Sequence, residues 1–407
     1  MTHPTSAGAS AHRGAERGET ERGRRRWKRP GRGWRLGIGL AGAMAVVMGP
    51  VLPAAAVSGS SDSSRPFLDR LNQQAEVAST VPANGDLNPY GVAVVTRTIG
   101  RLVAGDVLVS NFNAKSNLQG TGSTIVEIAP SGQRAVFAHL RAKTLPGACP
   151  GGVGLTTALG ILDDGYVVVG SLPTNAGVLE PGASGCLIVI NPAGMPSFTV
   201  SGGAINGPWD LTIRRDDGHD QLFVTNVLNG TVAAGGATVR GGTIVRLTFD
   251  LGGTVPSVTE STVIASGLAE RTDPAALVVG PTGVSINGDG TLYVANSAAN
   301  DIRAVRDAGD RHTSAGMGSH VSAGGELNDP LGMALAPNGD ILTANGTDGN
   351  IVETTPDGMQ VAEKLVDANP QPGPRPGNGA LFGLAVAPGT GLYFVDDDNN
   401  DLNLLSR

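Results

Sequence analysis

The chain has 407 residues, a formal net charge of −7, 16% charged and 4% aromatic residues, 61 Gly and 26 Pro. So little charge and so much Gly and Pro exclude a protein of long surface helices and favour many short strands joined by tight turns. With aromatics scarce, the core must be built from Val, Leu, Ile and Ala, of which the β-branched residues pack well on a pleated surface.

Residues 1–56 differ from the rest. A basic flank, RGRRRWKRPGRGWR, precedes the apolar run LGIGLAGAMAVVM (36–48) and then PVLPAAA. This layout predicts a secretory signal peptide cleaved near Ala56. A membrane anchor is the alternative, but the run is short of the ~20 apolar residues a spanning helix needs. Arg25 and Arg26 hint at a twin-arginine signal, yet Trp27, Lys28 and Arg29 lack the apolar residues expected after the pair, so the general secretory route is expected. The segment holds ten Lys/Arg and three Asp/Glu, leaving 19 basic and 33 acidic residues beyond it, a formal charge of −14. An acidic surface repels phosphate backbones, which excludes nucleic acid as a partner. An extracellular protein, a glycan or a small molecule is expected instead, with no stable membrane anchor.

Residues 57–73 read as a Ser/Gly-rich spacer followed by a short helix or irregular arm, and 74–82 as a strand. One phrase then recurs six times: a glycine-containing turn, a short apolar run, a second apolar run and a small polar residue. The copies are NPYGVAVV with GDVLVSN, TALGIL with GYVVVGS, GPWDLTI with DQLFVTN, GPTGVSI with GTLYVAN, DPLGMAL with GDILTAN, and ALFGLAV with GLYFVDD. Several add a third run, such as TIVEIAPSG or CLIVINPAG. Repeats of this size made of short strands predict an all-β, six-bladed β-propeller over residues 74–407. The expected blades begin at their inner strands, spanning 88–140, 153–203, 206–268, 279–324, 328–368 and 379–407. The last lacks an outer strand, which 74–82 is expected to supply, closing the ring and removing two sheet edges. The first three blades carry long insertions between second and third strands (112–123, 172–185, 227–241); these are either a recognition surface or tolerated insertions.

The pattern of Pro-x-Gly, strand, Gly-Asp or Gly-Thr, strand ending in Ala-Asn or Thr-Asn, and third strand resembles the NHL-repeat family of six-bladed propellers. It is clearest over Pro281 to Val305 and Pro330 to Gly358. More distantly the chain is similar to gluconolactonase-type propellers. That resemblance implies a divalent metal at the channel mouth, with carboxylate and Asn ligands partly at the x of Pro-x-Gly. Here those positions read Tyr90, Ala158, Trp209, Thr282, Leu331 and Phe382, none of them a carboxylate or amide. No metal site is therefore predicted there, and the side chains either ring the mouth with apolar groups or wedge blade against blade.

The candidate ligand-binding residues follow. Tyr90 and Trp209 stand at the mouth. Asp210 replaces the Gly that follows Pro-x in four other blades, with Gly160 in the second, and either meets a ligand or caps a loop amide. Second strands end at Asn111, Ser171, Asn226, Asn296, Asn345 and Asp396, a ring that serves turn chemistry or faces a ligand. The run Asp396 to Asp401 fails the EF-hand pattern, lacking Gly at its sixth position and Glu at its twelfth, and leaves a weak structural calcium site as the sole cofactor expectation. His139, His219, His312 and His320 share no metal spacing, and no GxSxG elbow or P-loop is present, so no catalytic residue is named. The expected function is an extracellular binding module; a lactonase-like hydrolase or lyase is the alternative. Cys149 and Cys186, in an exported propeller, would sit in two loops of one face and are expected to pair.

Overall fold

The computed structural model describes residues 65–179, 181–216, 218–369 and 376–407; the expected signal peptide and the spacer up to residue 64 lie outside them. Six antiparallel sheets stand in a ring. The first blade is Leu87–Val94, Val107–Asn113, Thr124–Ile128 and Arg134–His139, and the second Leu159–Ile161, Val167–Ser171, Cys186–Ile190 and Pro196–Ser201. The third is Pro208–Asp216, His219–Asn226, Val239–Asp250 and Ser257–Asp273, extended by Leu277–Val279. Pro281–Ile286, Leu292–Asn296, Asp301–Val305 and Ser319–Ala323 make the fourth, and Pro330–Leu335, Ile341–Asn345, Asn350–Thr354 and Gln360–Leu365 the fifth. The sixth combines Leu381–Ala387, Gly391–Asp396 and Asp401–Ser406 with Gln73–Ser79. Gln73 pairs with Ser406 and Ser79 with Asp401, so the expected closure by the N-terminal strand is present.

Burial follows strand position. Second strands such as Leu292–Asn296 and Ile341–Asn345 are buried throughout, because both sheet faces meet a neighbouring blade. The outer strand Gln360–Leu365 alternates between half-buried and exposed, as a one-sided sheet edge requires. The arm expected between 65 and 74 is a short 3₁₀ turn, Leu68–Arg70. Phe67, Leu68 and Leu71 sink into the core between the fifth and sixth blades. The buried Glu353 carboxylate clasps the turn by accepting from the Phe67 and Leu68 amides at 2.8 and 2.7 Å.

The Pro-x-Gly signature has a structural cause. In five blades the register between first and second strands shifts across it, as between Pro89 and Val92 or Pro330 and Met333. A bulge at a strand's start needs no N–H at its first residue, so proline is tolerated. The glycine is required by the next blade. A methyl on Gly283 would stand 2.2 Å from Leu331 O, on Gly332 1.9 Å from Phe382 O, and on Gly383 2.0 Å from Tyr90 O. In these blades the inner strand thus passes so close to its neighbour's backbone that no side chain fits. The contact also corrects one alignment: Gly91 meets Thr157 O, and Leu159 pairs with Val169 as Val92 pairs with Val109. Thr157 therefore occupies the x position of the second blade. Ala158 takes the glycine's place and is fully buried.

Candidate functional site

Three aromatic side chains from the x positions meet on the axis. Trp209 Nε1 donates to the Tyr90 hydroxyl at 2.7 Å, and the two rings lie edge to face with centroids 5.9 Å apart. Tyr90 stacks on Phe382 at 5.1 Å, and Phe112 meets Phe382 edge-on at 6.0 Å. Such offset and T-shaped pairs suit the ring quadrupoles, and the buried Trp209 indole N–H has a partner. Tyr90 and Trp209 are 2% and 3% exposed, so they form a plug and not an open rim. Burial, with Asp210 adding to it, pushes the Tyr90 phenol well above its ordinary value.

The plug separates two cavities. On the long-loop face lies a pocket of about 580 Å³ floored by Tyr90, Trp209, Phe382, Leu331, Leu155 and Thr157. On the other side runs an axial channel of about 340 Å³ between inner strands, lined by apolar residues such as Val92, Leu211, Val284 and Leu384. Tyr90 borders both, but Asp210 lines only the channel. The expectation that Tyr90, Trp209 and Asp210 share one mouth is corrected here: the residue after x turns toward the channel, the residue at x toward the pocket. Asp210 accepts from the Leu211 N–H at 2.8 Å. Its burial, opposed by the Leu211 and Val284 amides, raises its pKa to about 8.

Polar groups of all six blades line the pocket. Asn88 and Asp329 precede the prolines of the first and fifth blades with left-handed backbones, φ 60° and 56°. Asn and Asp are the side-chain-bearing residues that tolerate this conformation best; the third and fourth blades have Gly207 and Gly280 there without a left-handed backbone, pressed instead against Leu228 and against Val227 and Glu270. Asn88 Nδ2 donates to Asp397 Oδ2 at 2.8 Å, and Asn88 Oδ1 accepts from Asn113 Nδ2 at 3.0 Å. Asp397 Oδ1 is buried with no partner. Burial raises the Asp397 carboxyl to about 8, with the Asn88 bond pulling the other way. Across the pocket Arg271 pairs with Asp273 at 2.6 Å. Burial opposes the Asp273 charge, but the Arg271 bond and the Ala275 and Ala276 amides outweigh it and hold this carboxyl below its usual range. Asp329 is raised to about 6 by burial and by Asp273, with Arg271 opposing. Two carboxyls of the pocket are thus poised near neutrality while a third stays charged.

The ring of strand-end residues lies elsewhere. Asn226 Oδ1 accepts from the Asn206 and Gly207 amides at 3.2 and 3.3 Å, and Asn345 Oδ1 from the Asn328 amide at 3.1 Å. Asn111 Nδ2 donates to Thr80 O at 2.9 Å, and Ser171 Oγ accepts from the Gly154 amide at 2.9 Å. Asp396 Oδ1 accepts from the Asp398 and Asn399 amides. These residues and Asn296 are buried, none lines the pocket, and those with partners tie each second strand to the turns beside it. The Asp396–Asp401 run likewise spends Asp396 on its own turn, and Asp401 Oδ1 accepts from Asn403 Nδ2 at 2.6 Å. Among the described residues no group of three or more His, Cys, Asp or Glu is placed to hold a metal. Sequence reasoning missed Asn88, Asn113, Asp273, Asp329 and Asp397; the signal it passed over was Asn and Asp standing before proline where sister blades have Gly.

Cys149 and Cys186 form a disulfide with Cα atoms 5.2 Å apart, as expected. It pins the loop leading into the second blade to the start of that blade's third strand. The Gly151 N–H donates to Ser184 O beside it. The insertion that follows Leu172 folds into a small hairpin, Thr174–Asn175 with Val178–Leu179, and Thr174 Oγ1 donates to Gly120 O in the first blade's insertion at 3.1 Å. The long loops therefore support one another above the pocket. No helix among the described residues is long and apolar enough to cross a membrane.

No family model matches the chain, and no curated protein matches it. Solved structures do. A gluconolactonase from Xanthomonas campestris aligns at 14% identity over 83% of this chain and 90% of its own, with a TM-score of 0.51. A PQQ-bound aldose sugar dehydrogenase from Streptomyces coelicolor aligns at 16% identity over 82% and 97%, TM-score 0.49. A virginiamycin B lyase from Staphylococcus aureus aligns at 15% identity over 82% and 98%, TM-score 0.47. At such identities the likeness is one of architecture: the chain is a six-bladed β-propeller, similar in fold to gluconolactonases and related propellers.

Proposed function

We propose that the protein is an exported binding module whose long-loop pocket takes a small hydroxyl-rich molecule with one apolar face, a sugar or a compact hydroxylated ligand. The observation that carries this reading is the pairing of an aromatic floor with a wall carboxylate oxygen that lacks a donor, Asp397 Oδ1. A volume of about 580 Å³ suits a small ligand. Phe382 keeps part of its ring open to the pocket for an apolar face, and Asn88, Asn113, Asp329 and Asp397 supply acceptors and donors for hydroxyls. The apolar, basic-flanked leader and the disulfide support export. The NHL resemblance belongs to this reading as a statement of repeat type.

A hydrolase or lyase is the second reading. Asp329 and Asp397, raised to about 6 and about 8 within one pocket, favour it, because carboxyls held near neutrality are suited to moving protons. One experiment separates the two. A panel of sugars, sugar lactones and hydroxylated cyclic compounds is screened by calorimetry and by product analysis with the wild type, Phe382→Ala and Asp397→Asn. Binding without turnover, weakened at least about tenfold by Phe382→Ala, is the expected result. Turnover lost in Asp397→Asn with binding retained would establish the enzyme. A full panel without binding refutes both.

A further inference from the structure

A second polar cluster lies under the long loop of the third blade. Three segments meet there: Asn206 from the loop leading into the blade, Asn229 from its long insertion, and Glu270 from the tail of the outer strand Ser257–Asp273. Glu270 is 0% exposed, and neither of its carboxylate oxygens has a hydrogen-bond partner of normal geometry. Asn206 Oδ1 is also buried without a partner, while its amide nitrogen donates to Asn229 Oδ1. A methyl built on Gly241 would stand 2.2 Å from Asn229 O and 2.7 Å from Glu270 Oε1, so carbonyl and carboxylate face the same small space.

No charged group among the described residues balances this carboxylate, and Asn229 Nδ2 in the same cluster is likewise buried without a partner. Among the described residues no Lys, Arg or His pairs with it. Burial pushes it up to about 7, opposed only by the Asn229 amide. An ionised group in that position is costly unless a counter-charge or several donors satisfy it. A carboxylate and a carbonyl oxygen facing one space, with an unpartnered amide oxygen on the adjoining Asn206, are oxygens of the kind a hard cation takes.

We propose that Glu270, Asn206 Oδ1 and Asn229 O form a binding site for a divalent cation of the calcium class. The bound ion clamps the third blade's insertion to the strand that carries Arg271 and Asp273 into the pocket wall. One carboxylate with two neutral oxygens is a lean set, water completes the shell, and the dissociation constant falls at about 0.1–1 mM, the range of extracellular calcium modules. The site stands apart from the Asp396–Asp401 turn and does not depend on what the pocket binds.

The test is calcium titration of the full chain by calorimetry, with terbium luminescence as a second probe. One ion per chain is expected. Glu270→Gln, which keeps shape and removes charge, should weaken calcium at least about tenfold, and Glu270→Asp should weaken it less. A buried neutral acid would tolerate Gln with no change in calcium response. Absence of calcium binding up to about 10 mM, far above the expected range, overturns the proposal, as does Glu270→Gln binding like the wild type. If the Gln variant fails to fold, a terbium-soaked crystal of the wild type decides. An anomalous peak between Glu270 and Asn206 supports the site, and a peak elsewhere or none refutes it.

Discussion

The cavities on either side of Tyr90 were built under different constraints. The axial channel is walled by inner strands, whose side chains must alternate with their pairing, and Gly, Ala, Val, Leu and Ile make up most of its lining, with Thr96, Asp210, Thr212, Arg215 and Ser285 set among them. The long-loop pocket is walled by residues before the prolines, by insertions and by the tail after Glu270, which pairs only with the short strand Leu277–Val279, and it collects Asn88, Asp329, Asp397, Arg271 and Asp273. Chemistry gathers at the loop ends of the blades. The channel belongs to the scaffold, and the pocket is where this chain differs from its own repeat.

Removing the partition is the severest way to break that comparison. Trp209→Ala deletes a buried indole and strips the Tyr90 hydroxyl of its donor, so unfolding in urea should show a loss of about 3–5 kcal/mol. Trp209→Phe keeps most of the packing and should lose only about 1–2 kcal/mol, the cost of the unsatisfied hydroxyl. Replacing both Cys149 and Cys186 by Ala opens a cross-link across 37 residues of chain and should destabilise the fold by about 3–4 kcal/mol. Equal denaturation midpoints for that variant and the oxidised wild type would mean that the loops hold without the bridge.

A pH series sharpens the contrast. Asp397 is raised in the fold to about 8, so the native state holds this proton more tightly than the unfolded chain. Its contribution to stability is full below the unfolded carboxyl value near 4 and is lost as pH rises through about 8. Asp397→Asn removes this dependence, and the stability difference between variant and wild type should shift in the variant's favour from pH 5 to pH 9; parallel curves would show that Asp397 is ionised throughout. The smallest effect expected is that of Asp210→Gly, which restores the residue used by four other blades. It should change stability by no more than about 1 kcal/mol and leave ligand affinity in the pocket untouched. A change in affinity would show that the plug transmits between the two cavities.

Blade number, ring closure and the disulfide were legible in the sequence because each rests on periodicity or on a pair. Gly283 and Gly332 announce themselves by recurring, and their cause, a neighbouring carbonyl, is the same each time. The site was harder to read. Asn111, Asn226 and Asn345 recur too, and the same regularity that drew attention to them marks them as fittings of the scaffold, bonded to the segments that lead into their own blades. Asn88 and Asp329 depart from the repeat by one residue each, and Asp397 hides in an acidic run. Their convergence depends on which blades adjoin and on where the insertions fold, neither of which local pattern encodes. Ala158 shows the limit in miniature, since without a proline the second blade's register was legible only to within one residue.

The seam of the ring has a consequence for biosynthesis. Thr80 donates to Asn400 O across 320 residues of chain, beside the strand pair that joins Gln73–Ser79 to Asp401–Ser406. Every other blade can zip up from neighbouring segments as they emerge, but the sixth waits for the far end. Until then two raw hydrogen-bonding borders are on offer to any stray strand, so the protein is most prone to aggregate in the interval before these two distant strands meet.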